Sequence, residues 1–219
     1  MLQVLHEDAN CVIVNKPAGL PTQPDKTNNR SALDIVARYL NQKAFIVNRL
    51  DRPTSGILLF AKTSNSAGKF SALFQKDKVK KSYWAMVKNK PESESESGTL
   101  THYLKKGSKS KKSLVYNDNS KGGKKSILNY QVLKNLDNYH LLELELETGR
   151  FHQIRSQLAA IGSPIKGDVK YGAKRKNQDR SIHLHARKLV FTHPFNNEEI
   201  TVVAEVPQND NLWKSITID

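Results

Sequence analysis

Asn48-Arg49-Leu50-Asp51-Arg52-Pro53-Thr54-Ser55-Gly56, continuing into Ile57-Leu58-Leu59-Phe60-Ala61-Lys62, is the stretch on which the reading of this chain turns. It sets one carboxylate, Asp51, between Arg49 and Arg52, ahead of a Pro/Ser/Gly turn and an apolar run. Nearby cations favour the charged form of a carboxylate. An ionised carboxylate held on a turn beside a rigid strand is a candidate nucleophile. Asp ahead of Pro, Ser and Gly is also an ordinary turn former, and taken alone the turn accounts for it. The two arginines supply more charge than a turn needs, and residues 57–61 have the pattern of a strand buried on both faces.

Working outward, residues 2–5 and 11–15 read as short strands joined by the polar turn Glu7-Asp8-Ala9-Asn10. Lys16-Pro17-Ala18-Gly19 breaks the second strand, and residues 20–30 are loop. Ser31 with Asp34 three residues on resembles a capped helix start, followed by Leu33, Ile35, Val36, Tyr39 and Leu40 on one helical face. A second helix is predicted over 64–76 and a strand over 81–87. Residues 126–133 form another strand. Leu142-Glu143-Leu144-Glu145-Leu146-Glu147 alternates strictly, with an apolar face and a face of glutamates expected to point away from any polyanion. Phe151, Ile154, Leu158 and Ile161 mark an amphipathic helix that Gly162 stops. Residues 182–191 and 200–206 are the final strands. Hairpin-like strands with a few helices predict an α+β domain, without internal repeats.

Between residues 91 and 125 the composition changes. Ser/Glu alternation gives way to a Lys/Gly/Ser-rich stretch with Lys105, Lys106, Lys109, Lys111, Lys112, Lys121, Lys124 and Lys125. Without longer apolar patterning it is expected to be a basic, flexible insertion on a single domain spanning 1–219, with short strands at 99–104 and 114–116.

The charge balance points to a partner. With 35 Lys+Arg against 21 Asp+Glu the formal net charge is +14, which favours polyanionic partners, nucleic acid ahead of anionic membrane. The one cysteine, Cys11, has no second cysteine to pair with and lies in an apolar run, so a buried thiol in a reducing compartment is expected. Met1-Leu2-Gln3-Val4 enters strand-like sequence without a signal-peptide pattern, and no apolar run approaches the roughly 20 residues that span a bilayer. A cytoplasmic protein is expected.

Two further clusters join Asp51. In Gly149-Arg150-Phe151-His152-Gln153-Ile154-Arg155, helical spacing puts Arg155 at the border of the apolar stripe with His152 on the same flank. A long cation at the edge of a core needs a carboxylate partner, and Arg150 in the first turn would lie where backbone donors favour anions. In Lys80-Lys81-Ser82-Tyr83-Trp84, Tyr83 can present a flat ring to a nucleobase with Lys81 near a phosphate. Each pattern alone is also compatible with ordinary structure, a snorkelling helix flank or a core tyrosine.

Together the three clusters resemble the signature motifs of the RluA-type family of RNA pseudouridine synthases. Asn15-Lys16-Pro17-Ala18-Gly19, Gly167-Asp168 with Tyr171-Gly172, and Leu184-His185-Ala186 match further family elements in the same order, so the resemblance runs from the first strands to Val206. It implies the pseudouridine synthase fold, a mixed, largely antiparallel sheet flanked by helices and loops. It also implies an isomerase that converts uridine to pseudouridine in structured ribosomal or transfer RNA. By resemblance, Asp51 is catalytic, Tyr83 stacks on the target base, and Arg155 forms a salt bridge with the aspartate. Arg49 fills the space left by a flipped nucleotide, and Arg52, Lys81, Arg150 and His152 join it in binding RNA. Most of the content of the smaller matches is expected to be structural.

Two positions depart from the pattern: Asn48 stands where the family usually has histidine, and Gln157 stands near a second usual histidine. The small RNA-binding domain that precedes the catalytic domain in many relatives is not expected, because strand-like sequence begins at Leu2. His183 and His185 share a strand face but lack a third ligand at sensible spacing, so no metal site is expected. No phosphate-binding or dinucleotide glycine motif is present, so no cofactor is expected. A monomer is expected. The alternative is a noncatalytic RNA-binding protein on the same scaffold, towards which only the replaced histidine leans.

Overall fold

The computed structural model describes residues 1–219 apart from 27–28, 77, 92–95, 109, 209 and 217–219. Its elements in chain order are β1 (Gln3–Glu7), β2 (Cys11–Lys16), α1 (Ala32–Tyr39), β3 (Phe45–Ile46), β4 (Ser55–Ala61), α2 (Ser64–Gln75), β5 (Val79–Val87), β6 (Ser97–Lys106), β7 (Ser113–Tyr116), β8 (Lys124–Asn135), β9 (His140–Leu146), α3 (Gln153–Ala160), β10 (Leu184–Thr192), β11 (Glu199–Val203) and α4 (Asn211–Lys214). This is the α+β class that the patterning predicts. The chain divides into two compact units, Met1–Lys80 with His185–Asp219, and Lys81–Leu184.

In the first unit β2 lies antiparallel between β1 and β4. β4 also takes β3 antiparallel and, at Ser55 and Gly56, β10 in parallel, while β10 pairs antiparallel with β11. The sheet is therefore mixed. All seven residues of β4 are buried, as expected for a run without a polar face. Gly56 is required by close approach: its φ is +112°, and a Cβ there would lie 2.3 Å from the Ala186 carbonyl oxygen. Helix α1 begins with the predicted cap. The Ser31 hydroxyl accepts from the Asp34 N–H at 3.3 Å, and the Asp34 carboxylate accepts from the Ser31 N–H at 2.9 Å.

The second unit is an antiparallel sheet in the order β5-β9-β8-β6-β7. Ala85, Leu128, Leu142 and Leu144 are fully buried in a core against Ile154 and Leu158 of α3. Burying each leucine contributes about 1.5–3 kcal/mol. β9 alternates as predicted, with Leu142 and Leu144 buried and Glu145 exposed. The basic segment carries β6, β7 and the start of β8. β6 pairs with β8 from Ser97 to Leu104, and His102 and Leu104 are buried. Lys105 and Lys106 end β6, and Lys124 and Lys125 start β8, so these cations lie at strand ends. Residues 92–95 of the Ser/Glu run and Lys109 lie outside the described residues.

Helix α3 differs from its expected form. It starts at Gln153, and His152 precedes it in the left-handed conformation at φ 51°. Arg150 is therefore outside the helix rather than in its first turn, and His152 outside it rather than on its flank. Gln153, Arg155, Ser156 and Gln157 are buried along with Ile154 and Leu158, so the helix presents no solvent-exposed face over these six residues. Among the described residues no helix is long and apolar enough to cross a membrane.

Candidate active site

In the first unit the Asp51 loop is held by backbone and side chain together. The Thr54 N–H donates to the Asp51 carbonyl at 3.0 Å, closing a turn over Asp51-Arg52-Pro53-Thr54, while Ser55 and Gly56 of the expected Pro/Ser/Gly turn already belong to β4. Ahead of it, Thr22 clamps Leu50: its hydroxyl donates to the Leu50 carbonyl at 2.9 Å and accepts from the Leu50 N–H at 3.2 Å. Behind it, Arg52 exchanges two bonds with Gly19. The Gly19 N–H donates to the Arg52 carbonyl at 2.8 Å, and Arg52 Nε donates to the Gly19 carbonyl at 2.9 Å. Arg52 Nη1 also reaches Asp25 at 3.4 Å, an exposed pair worth at most about 1 kcal/mol. Arg49 is exposed.

Lys16 belongs to this site although its sequence context suggests only turn material. It ends β2, is fully buried, and its Nζ donates to the carbonyls of Pro17 at 3.0 Å, Leu20 at 2.8 Å and Arg52 at 3.3 Å. Burial pushes its ammonium down to about 7, against the opposing pull of the Asp51 carboxylate and with Arg52 adding to the fall. One buried cation thus draws three loop carbonyls together within the field of Asp51. A lysine that ends a strand whose first four residues are apolar and buried is the signal that could have found it.

Asn48, the departure from the family pattern, has a structural partner. Its Oδ1 accepts from the Leu59 N–H at 2.8 Å, and its Nδ2 donates to the Ile57 carbonyl at 3.4 Å. The side chain continues the pairing of β4 beyond Ile46, where β3 ends. His185 is satisfied as expected. The Ala204 carbonyl, which only accepts, lies 3.1 Å from Nε2, so Nε2 carries the proton and Nδ1 accepts from the Ser55 hydroxyl at 2.9 Å. Burial lowers its pKa to about 4, which keeps it neutral.

In the second unit Tyr83 lies on β5 opposite Leu144, half-buried at the margin of the core, and Lys81 is two residues before it on the same strand face. Arg155 meets the carboxylate of Asp168 as a fork: Nε to Oδ2 at 2.7 Å and Nη2 to Oδ1 at 2.8 Å, both residues being buried. The ring of Tyr171 lies 5.1 Å from the guanidinium carbon, and its hydroxyl accepts from the Ser113 N–H at 2.7 Å and meets His152 Nδ1 at 2.8 Å. His152 also stacks on exposed Phe151 at 3.8 Å. Gln153 folds the preceding turn: its Oε1 accepts from the Arg150 N–H and the Thr148 hydroxyl, both at 2.9 Å, and its Nε2 donates to Ile127 at 3.0 Å. The match Gly167-Asp168 with Tyr171-Gly172 therefore carries more than turn glycines. It supplies Arg155 with its carboxylate and with an aromatic cover.

Gln157, the second departure, is buried with Nε2 bonded to the Leu100 carbonyl at 3.0 Å, His102 Nδ1 at 3.1 Å and the Ser126 carbonyl at 3.3 Å. It ties α3 to β6 and β8. His183 takes Asn177 at 3.0 Å. A cavity of about 360 Å³ lies over the acidic face of β9, lined by Glu143, Glu145, Asn129 and Tyr130. Its carboxylates suit no phosphate. The structure thus gathers Asp51, Arg52 and Lys16 in the first unit, and Arg155, Asp168, Tyr171 and His152 in the second.

Comparison with known proteins follows the same lines. The family model described as RNA pseudouridylate synthase matches residues 10–160. The chain is 37% identical over 209 residues to the ribosomal large subunit pseudouridine synthase C of Rickettsia felis, covering 93% of this chain and 67% of that protein. It is 30% identical over 236 residues to the tRNA pseudouridine synthase C of Vibrio parahaemolyticus, covering 98% and 93% respectively. Among solved structures, human RNA pseudouridylate synthase domain containing 4 superposes with a TM-score of 0.74 at 27% identity, over 94% of this chain and 89% of that one. Human RNA pseudouridylate synthase domain containing 1 gives 0.77 at 24% identity over 96% and 87%, a likeness of fold.

Proposed function

The chain belongs to the RNA pseudouridylate synthase family, and on that premise we propose how this RNA pseudouridine synthase uses its residues and which RNA it takes. The reaction breaks the N1–C1′ bond of uridine, turns the uracil and joins C5 to C1′, with the C5 proton released and no redox change. Asp51 is the catalytic carboxylate, either attacking C1′ or taking a proton from C2′. Its support is the loop itself, pinned through Thr22, Gly19 and buried Lys16, since reaction at a fixed carbon needs a carboxylate held in one place. Tyr83 stacks on the target uracil, and Arg155, held in one orientation by Asp168, is the catalytic arginine.

The target uridine must leave its stack, which costs a few kcal/mol. Arg49 takes the vacated space, and Arg52, Lys81, Arg150 and His152 hold the flanking RNA. The lysines of residues 105–125 contact phosphate, so binding weakens steeply with salt. The substrate is structured RNA of the ribosomal or transfer class, the two classes that the relatives' names carry, and the enzyme works as a cytoplasmic monomer. The noncatalytic alternative loses its one support, because Asn48 has a strand-clamping role that requires no imidazole.

Tritium release from RNA labelled at uracil C5 tests the assignment. Native protein should release label from total RNA of its host, and Asp51→Asn should abolish release while RNA affinity stays within about threefold. Release by Asp51→Asn at the native rate would remove Asp51 from its role. Mapping pseudouridines in cells with and without the protein decides between ribosomal and transfer RNA.

A further inference from the structure

The turn between β1 and β2 and the residues just after β10 hold a cluster that the reaction does not use. Asp8 organises it. Its Oδ1 accepts from the backbone N–H groups of Asn10 at 2.6 Å and Cys11 at 2.9 Å. Its Oδ2 collects His6 Nε2 at 3.0 Å, Cys11 Sγ at 3.4 Å and His193 Nε2 at 3.4 Å. The ligand atoms of His6, Asp8 and Cys11 all lie within 4.8 Å of one another. Tetrahedral zinc, with bonds of roughly 2.0–2.3 Å, spaces its ligand atoms by about 3.3–3.7 Å, so small side-chain adjustments close the set.

His193 supplies an independent indication. It is 3% exposed, and its Nε2 has no hydrogen-bond partner among the described residues. Its other nitrogen is committed: Nδ1 lies 2.8 Å from Asn196 Oδ1. The amide of Asn196 is oriented by Glu198, whose N–H donates to Oδ1 at 3.2 Å and whose carboxylate accepts from Nδ2 at 2.7 Å. An amide oxygen only accepts, so Nδ1 carries the proton and the Nε2 lone pair faces a carboxylate oxygen. The lone pair of a buried imidazole thus faces the oxygen of a half-buried carboxylate, 4% and 27% exposed, and two electron-rich atoms so placed call for a cation between them. A histidine whose far N–H is fixed on an amide oxygen is the arrangement metal-ligating histidines adopt.

We propose that His6, Asp8, Cys11 and His193 form a binding site for a transition-metal dication of the zinc type, which fastens the β1–β2 turn to the start of the β10–β11 connection. The ligand chemistry is borderline-soft: two imidazoles, one carboxylate and one thiolate suit zinc or cobalt over magnesium or calcium. On binding, the metal replaces the Cys11 thiol proton, which leaves to solvent as the sulfur–metal bond forms, and no electron is transferred. The competing occupant is a proton on His193, giving an imidazolium beside Asp8.

Cobalt(II) titrated into the full chain separates the two. One equivalent should bind with the intense visible bands of a tetrahedral site and a thiolate-to-cobalt charge-transfer band, and zinc should displace it. Because Cys11 is the chain's one cysteine, that band identifies the site without any variant. Cys11→Ser should abolish the band, and His193→Gln should weaken zinc at least tenfold, with circular dichroism checking the fold of each. Asn196→Ala, which leaves all four ligands in place, should weaken zinc about 10–100-fold. Absence of saturable binding, or one-to-one binding without a charge-transfer band, overturns the proposal and leaves the protonated histidine.

Discussion

Arg155 and Asp168 face each other as fork to fork, Nε and Nη2 of the guanidinium on Oδ2 and Oδ1 of the carboxylate, in a place where both are at least 95% buried. Such a pair fixes orientation more than it adds net stability, because burying both charges offsets most of their attraction. Removing one partner is different, since it strands a desolvated charge. Asp168→Ala should therefore lower stability by about 3–5 kcal/mol, read from urea unfolding, and should depress pseudouridine formation below the effect of the stability loss alone. Arg155→Lys should keep the charge, lose the fork and fail to restore activity. Native activity in either variant would remove the pair from the positioning of the site.

Asn48 bears on the departure from the family's histidine. Its amide oxygen accepts from the Leu59 N–H in a strand that is wholly buried. Asn48→Ala leaves that donor without its acceptor and should cost about 1–3 kcal/mol, seen as a lower urea midpoint. The role is hydrogen bonding without titration, so the activity of folded Asn48→Ala should fall little. A loss of activity of a hundredfold or more at unchanged stability would show that position 48 takes part in the chemistry.

Gly56 follows the Asp51 turn and admits no side chain. A Cβ there would lie 2.3 Å from the Ala186 oxygen and 2.5 Å from its nitrogen, at a φ of +112°. Gly56→Ala should cost about 3 kcal/mol or more, combining backbone strain with displacement of β10. A thermal midpoint equal to that of the native chain would contradict this close approach.

These cases mark what local sequence can and cannot reveal. The β4 run and the Ser31–Asp34 cap are legible because their signals are local: an unbroken apolar stretch, and a hydroxyl three residues from a carboxylate. The start of α3 is not, because Gly149-Arg150-Phe151 is folded by Gln153 reaching Thr148 and Ile127, contacts that periodicity does not register. Lys16 and Asp168 are hidden for the same reason. Their partners, Arg52 and Arg155, lie 36 and 13 residues away. β3 is two residues long, too short for any period. The Cys11 thiol is buried as expected, but its neighbour Asp8 is met by His193 from the far end of the chain.

Lys16 sets a pH dependence that can be isolated. Its ammonium falls to about 7 in the fold from the 10.5 usual for an exposed lysine, burial being the main cause. Between those limits the unfolded chain binds the proton that the folded chain has released, so stability from this group rises with pH from about 7 to 10.5 and is flat below 7. Lys16→Met keeps much of the volume and removes the titration. Its loss of the bonds to Pro17, Leu20 and Arg52 shifts absolute stability, so the informative quantity is the slope. Urea unfolding of both proteins at pH 7, 8 and 9 should show native stability gaining on the variant as pH rises. Equal slopes would mean that the buried ammonium stays charged throughout, held by its three carbonyls and Asp51.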